Sequence, residues 1–272
     1  MKRFLFLFLS VIYTSISLHA DITWTNPIAI STAGVDSTEP RIVIDPEGNA
    51  TAAWLENGII KSSSLSFQGS WTTPITISDI LNSSSNPKLR VDSSGNVTLL
   101  WIENTIIKTT TRPFGGSWNL TATSISGSEA SNPSLAVDLT GNAVAVWTRN
   151  GFIESATRTS GGWQATTIIS PSQSDNAHVA ISSSGIAMAA WRSIISGSHT
   201  IVTDQLSLAT NIWDTRKKIT TVSSSKNFPK ITLDDNGNAT VAWFTYLLLN
   251  ENAYQNVQVG TSSLLYGGVS WT

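Results

Sequence analysis

The chain has 272 residues, no cysteine, 12% charged residues and a net charge of −2. That balance lacks the basic face that nucleic acid needs in order to release counterions, so no nucleic-acid partner is expected. Disulfides, thiolate metal sites and a lipidated cysteine are excluded, so the fold must hold by core burial alone.

In chain order, residues 1–20 read MKRFLFLFLSVIYTSISLHA. Lys2 and Arg3 give a positive start, residues 4–13 a short apolar stretch, and the segment closes small and polar at Ala20. This layout predicts a secretory signal peptide, hence a secreted, periplasmic or cell-surface protein. No second apolar stretch of spanning length follows, so residues 21–272 are read as a single domain with no membrane span.

That domain repeats itself. DPEGNATAAW (45–54) returns as DSSGNVTLLW (92–101), DLTGNAVAVW (138–147) and DDNGNATVAW (234–243), with a worn copy SSSGIAMAAW (182–191). All eleven tryptophans fall in two series, Trp24, Trp71, Trp118, Trp163, Trp213, Trp271 and Trp54, Trp101, Trp147, Trp191, Trp243. Each unit carries four strand-like runs, as in PKLRVD (87–92), NVTLLWIE (96–103), TIIKTTTRPF (105–114) and SWTTPITIS (70–78). Prolines stand where no ladder N–H is needed, at the entry of the first run and inside the last, which marks an edge strand. Nothing holds a 3.6-residue period for more than two turns, so the chain is all-β. Four short strands per unit, with units near 21–67, 68–114, 115–160, 161–210 and 211–266 and a partial outer strand at 267–272, predict a β-propeller of about five four-stranded blades.

Within the phrase, Asp45 is expected to accept hydrogen bonds from the turn's own N–H groups, Gly48 to take positive φ, and Trp54 to wedge between layers. The pattern P-x-I-x-x-D-x-x-G-N-A-x-A-x-W resembles the repeat of NHL-type propellers, with Trp where that family has Asp. More loosely it resembles the Asp-box hairpins of sialidase-like propellers, although here the Asp precedes Gly by three residues. An NHL-like phase implies that the Pro-led strand is innermost and the Ser-Trp strand outermost. An orphan outer strand, 22–30, then precedes five inner triplets. Either it completes the fifth blade and closes a five-bladed ring, the favoured reading, or the chain is the front of a larger propeller. An open ring leaves edges that invite self-association.

Candidate chemistry is sparse. DDNGN (234–238) lacks the alternating oxygen ligands and distant Glu of a calcium loop, so neither a metal nor a cofactor is expected. The sialidase resemblance implies arginines for a substrate carboxylate, a Tyr with a Glu partner, and an Asp acid. Arg41 and Arg90 are read as equivalent places in two units, with Lys230 in the fifth, which looks like repeat chemistry rather than a site. His178 and His199 read as packing and surface residues, and neither a Gly-x-Ser-x-Gly turn nor a His-Glu-x-x-His helix occurs.

Sugar binding has the best pattern. Trp54, Glu56 and Asn57, then Trp101, Glu103 and Asn104, then Trp147, Arg149 and Asn150 each offer an aromatic face beside polar groups. No catalytic residue stands out. The sequence therefore points to a non-enzymatic binding scaffold with a protein or glycan partner. A glycan-binding lectin using the repeat tryptophans, or a degenerate sialidase-like glycoside hydrolase, is the alternative. The expected working rim is built from loops 31–39, 81–86, 127–132 and 172–176. Leu247, Leu248 and Leu249 read either as an exposed contact or as an extended hairpin packing on the ring.

Overall fold

Each ten-residue phrase folds as the end of one strand, a tight turn and a second strand. Five such hairpins seed five separate sheets in the computed structural model, which describes residues 26–213, 216–220, 225–250, 253–265 and 271. The expected signal peptide and the side chains of Leu247, Leu248 and Leu249 lie outside the described residues.

Blade 1 pairs an inner strand Ser37–Ile44, a middle strand Ala50–Glu56 and a third strand Ile59–Leu65, all antiparallel. Blade 2 repeats the triplet as Ser84–Val91, Val97–Glu103 and Ile106–Arg112. Blade 3 uses Ala130–Val137, Ala143–Arg149 and Phe152–Thr159. Blade 4 uses Ser174–Ile181, Ile186–Ile195 and Ser198–Ser207. Blade 5 uses Ser225–Leu233, Ala239–Asn250 and Ala253–Leu264. The architecture is the expected all-β propeller, and no helix among the described residues is long and apolar enough to cross a membrane.

The outer strands are shorter than the sequence suggests. Blade 1 has only Ile75–Thr76 and blade 2 only Thr123–Ser124. Pro74 contributes no ladder N–H and splits the outer strand of blade 1: Trp71 bridges Leu65 before it, and Ile75–Thr76 pair after it.

The repeated turn works as its residues require. Asp45 Oδ1 accepts from the N–H groups of Glu47 at 3.0 Å and Asn49 at 2.9 Å, while Oδ2 accepts from Asn49 Nδ2 at 2.9 Å. Asp92, Asp138 and Asp234 repeat the set. Gly48 closes the turn at φ 85°, a left-handed conformation that a Cβ would oppose.

The middle strands of blades 1 to 4 are buried on both faces, which is why they read as continuous apolar runs, whereas that of blade 5 exposes Thr240 and Phe244. From blade 1, Ala53, Leu55 and Ile60 pack on Leu89, Leu99 and Trp101 of blade 2. Blade 2 sends Leu100 and Ile107 onto Leu135, Ala145 and Trp147 of blade 3. Val146 and Ile153 of blade 3 meet Val179, Ala189 and Trp191 of blade 4. Ala190 and Ile201 of blade 4 meet Ile231, Val241 and Trp243 of blade 5. Small residues in the middle strand let sheets approach, and the tryptophan fills the space where they splay apart.

Inner strands pack on one another in order from blade 1 to blade 5, and among the described elements no comparable packing joins blade 5 to blade 1. Residues 26–30, the described part of the expected outer strand, pair with no strand. Among the described residues, the contacts that the five-bladed closure favoured from sequence requires are therefore not made. Four packed interfaces, blade 1 on 2, 2 on 3, 3 on 4 and 4 on 5, join the described sheets.

Candidate functional site

The three tryptophan sets serve the hairpins. Trp101 and Trp147 are fully buried and Trp54 is nearly so, which leaves no indole face for a sugar ring. Glu56 accepts from Thr32 N–H at 3.0 Å and Thr32 Oγ1 at 2.8 Å, and the Trp54 indole N–H lies 3.4 Å away. Those hydrogen bonds, the Thr32 N–H first, hold its carboxyl below the usual range. Glu103 pairs with Lys108 at 3.1 Å and takes the Trp101 indole at 3.4 Å. Arg149 pairs with Glu154 at 2.7 Å, and Glu154 takes the Trp147 indole at 3.0 Å. Asn57, Asn104 and Asn150 stand at φ 50°, 47° and 51°, each followed by a second residue of positive φ. These are the central residues of two-residue hairpin turns, where Asn is favoured for its tolerance of that conformation. A cavity of about 290 Å³ between blades 1 and 2 is walled by Trp101, Glu103 and Lys108, but the carboxylate there is already committed.

The inner strands carry a different set. Each takes a left-handed residue just before the proline position: Glu39, Asn86, Asn132, Asn176 and Phe228, at φ 49° to 54°. The ladder shifts register there, between Thr38 and Arg41, Ser85 and Lys88, Asp175 and His178, and Asn227 and Lys230. Such bulges re-aim the side chains that follow. The register then places Arg41 opposite Ala53, Lys88 opposite Leu100, Ser134 opposite Val146, His178 opposite Ala190 and Lys230 opposite Ala242. These five positions are equivalent, and all line one central cavity of about 510 Å³ together with Arg90, Asn86, Asn132 and Asn176. Arg41 and Arg90, expected from sequence to be equivalent, are not: the counterpart of Arg41 is Lys88, and Arg90 lies two residues further along, opposite Thr98.

The cavity is cationic, and Arg41, Lys88 and Arg90 are partly buried in it. Among the described residues no carboxylate lies within ion-pair distance of Arg41, Lys88, Arg90 or Lys230. Arg41 donates instead to the carbonyls of Pro87 at 3.0 Å and Pro40 at 2.8 Å, and Arg90 donates to that of Leu89 at 2.8 Å. Burial, followed by the nearby Arg41, pushes the Lys88 ammonium down to about 8, with Glu39 offsetting part of the repulsion. Burial also lowers Arg90 and Lys230. His178 is pushed down to about 4 by burial and then by Lys230 and Arg90, so it is neutral at pH 7. Its Nδ1 accepts from Ile231 N–H at 3.3 Å, which assigns the ring proton to Nε2 and makes His178 a donor rather than a base.

Three arginines outside the cavity have structural work. Arg112 bonds Ser64 at 2.6 Å and Thr51 at 2.5 Å, which ties blade 2 to blade 1. Arg158 bonds Thr98 at 2.9 Å, tying blade 3 to blade 2, and Arg192 pairs with Asp175. No group of three or more His, Asp or Glu that could hold a metal occurs among the described residues.

No protein-family model and no curated protein sequence matches the chain. Solved structures do. NanB sialidase from Streptococcus pneumoniae is similar at TM-score 0.51 and 16% identity, over 79% of this chain and 37% of that one. An ulvan lyase, from a family of polysaccharide lyases, is similar at TM-score 0.59 and 9% identity, over 84% and 69%. The intramolecular trans-sialidase from Ruminococcus gnavus is similar at TM-score 0.50 and 10% identity, over 75% and 50%. The chain thus spans little more than a third of the NanB chain. At these identities the likeness establishes the propeller fold. The neighbours are enzymes that process glycans, and against them the expectation of a non-enzymatic binding scaffold does not stand.

Proposed function

We propose that this chain is a glycan-processing propeller whose central cavity takes an acidic saccharide. The observation that carries the reading is the convergence of Arg41, Lys88, Arg90 and Lys230 on one cavity, with no carboxylate among the described residues within ion-pair distance. Crowded, partly desolvated cations repel one another, and a bound carboxylate or sulfate relieves that cost through charge-assisted hydrogen bonds. The neutral His178 and the rim asparagines Asn86, Asn132 and Asn176 supply uncharged groups for sugar hydroxyls. The ulvan lyase likeness supports the substrate class, since that enzyme is seen with a saccharide of glucuronate and sulfated rhamnose. Export, read from residues 1–20, is consistent with an extracellular glycan.

Purified protein incubated with a sialylated oligosaccharide, a uronate polymer, a sulfated polymer and a neutral polymer tests this, with products read by mass spectrometry. Cleavage of an acidic glycan is expected, falling at least tenfold in Lys88→Ala and Arg90→Ala. Absence of cleavage on every acidic glycan, or undiminished cleavage by the double variant, would overturn it. The product mass also separates hydrolysis, which adds water, from elimination, which does not.

A further inference from the structure

One turn of the propeller is bare where its counterparts are filled. In blade 2, Arg112 ends the third strand opposite Val97, and Phe114 follows it two residues on. The Phe114 ring caps the turn of its own blade so closely that a Cβ on Gly95 would lie 2.5 Å from it. Phe67 caps Gly48 of blade 1 in the same way, at 2.9 Å. In blade 3, Arg158 stands opposite Ala143 and donates to the Gly141 carbonyl at 3.0 Å. Blade 4 has neither side chain. Ser207 stands opposite Ile186 at the arginine position, and Ala209 stands where Phe67 and Phe114 do. A Cβ on Gly185 would meet nothing within 4 Å. The result is a cavity of about 580 Å³ bounded by Ser207, Ala209 and Gly185, and by Asn142 from the blade 3 turn and Asp235 from the blade 5 turn. It lies at the turns where the inner strands end, whereas the cationic cavity lies where they begin.

The acceptors that an arginine needs have gone with it. Arg112 and Arg158 donate to the hydroxyls of Thr51 and Thr98 in the preceding blade. Val144 takes that place in blade 3, opposite Thr157 as Thr98 is opposite Thr111. Ser182 replaces the turn aspartate that every other blade carries. Among the described residues no Lys, Arg or His lines the cavity, so an acidic group finds no partner there either.

What remains is unused hydrogen-bonding capacity beside an apolar wall. Asn49 Oδ1 and Asn96 Oδ1 accept from the Phe67 and Phe114 N–H groups at 2.9 and 3.1 Å. The loop of blade 3 is one residue shorter, and Asn142 Oδ1 accepts no hydrogen bond among the described residues. The side chains of Ser207, Asp235 and Asn236 make none there either, these residues bonding only through their main chains. Ile186 and the half-buried Leu208 supply the apolar wall.

We propose that this cavity is a second saccharide site, which takes an uncharged sugar ring. A carboxylate, two amides and a hydroxyl match the donors and acceptors of neighbouring sugar hydroxyls, and Ile186 and Leu208 match the C–H face of the ring. The site is separate from the cavity assigned to an acidic saccharide and stands without that assignment.

Titration calorimetry of the native chain against neutral oligosaccharides of glucose, galactose and mannose tests this. Binding heat is expected with at least one of them. Ser207→Arg combined with Ala209→Phe rebuilds the blade 2 pair in blade 4, and should weaken that binding about tenfold or more while the circular dichroism stays native. Asp235→Ala, at an exposed turn position, should weaken it by a similar factor without filling the cavity. Three outcomes would each overturn the proposal: no heat with any of these sugars at millimolar concentration, binding undiminished in both variants, or binding of free arginine and of no sugar.

Discussion

Two rungs of the propeller occupy equivalent heights in every blade and behave in opposite ways. The middle-strand rung is Trp54, Trp101, Trp147, Trp191 and Trp243, one residue type five times, buried throughout. The inner-strand rung is Arg41, Lys88, Ser134, His178 and Lys230, four residue types in five places, gathered on one cavity. The constant rung answers a demand that every blade shares, filling the space between sheets. The varied rung lines the cavity and meets the neighbouring inner strand through single hydrogen bonds, from Arg41 to Pro87 and from Ile231 to His178, so core packing constrains it less. Constancy within a repeat marks the frame, and departure from it at one register marks the site.

The widest separation between the rungs is expected in stability. Trp101→Ala removes a fully buried side chain from the blade 1–2 interface and should cost about 3–5 kcal/mol, read as a lower urea midpoint. Lys88→Ala should leave that midpoint equal or higher, because it removes a desolvated cation.

Next comes pH. His178 binds its proton near 4 in the folded chain, against 6.5 for the ordinary side chain. The unfolded chain therefore binds more protons between those values, and stability falls as pH drops from 6.5 to 4 by up to roughly 3 kcal/mol. Lys88 acts at the other end: with a folded value of about 8 against 10.5, stability rises as pH climbs between them. Urea titrations across pH should show both slopes, with the acid one flattened in His178→Gln and unchanged in a blade 3 surface variant.

A smaller effect belongs to the turns. Asp138→Ala loses the bonds to the Thr140 and Asn142 N–H groups and should cost about 1–3 kcal/mol. Ligand linkage should be smaller still at modest saturation. A sulfated or uronate oligosaccharide is expected to raise the melting temperature of the native chain and not of the Lys88→Ala, Arg90→Ala double variant.

The hairpin phrase was legible because its demands are local. Asp45 bonding its own turn, Gly48 at positive φ and apolar runs of fixed length follow from spacing alone. So does the count of blades, through the two tryptophan series. The phrase also misled: Glu56, Glu103 and Arg149 looked like ligand groups beside aromatic faces, and the structure spends them on the indole N–H groups and on neighbouring charges. Burial of both partners is a tertiary fact that spacing does not carry.

The sequence by itself determined the all-β class, the repeat, the turn chemistry and the order of strands within a blade, because each depends on residues within about fifty positions of one another. Tertiary structure decided the rest. Arg41, Lys88, His178 and Lys230 each stand four residues before the repeated phrase, a spacing the sequence already holds, but only folding brings cations some 190 residues apart into one cavity. Whether the last blade meets the first depends on the angle that each packed interface sets, a quantity fixed by side-chain volumes between sheets and by no single stretch of chain.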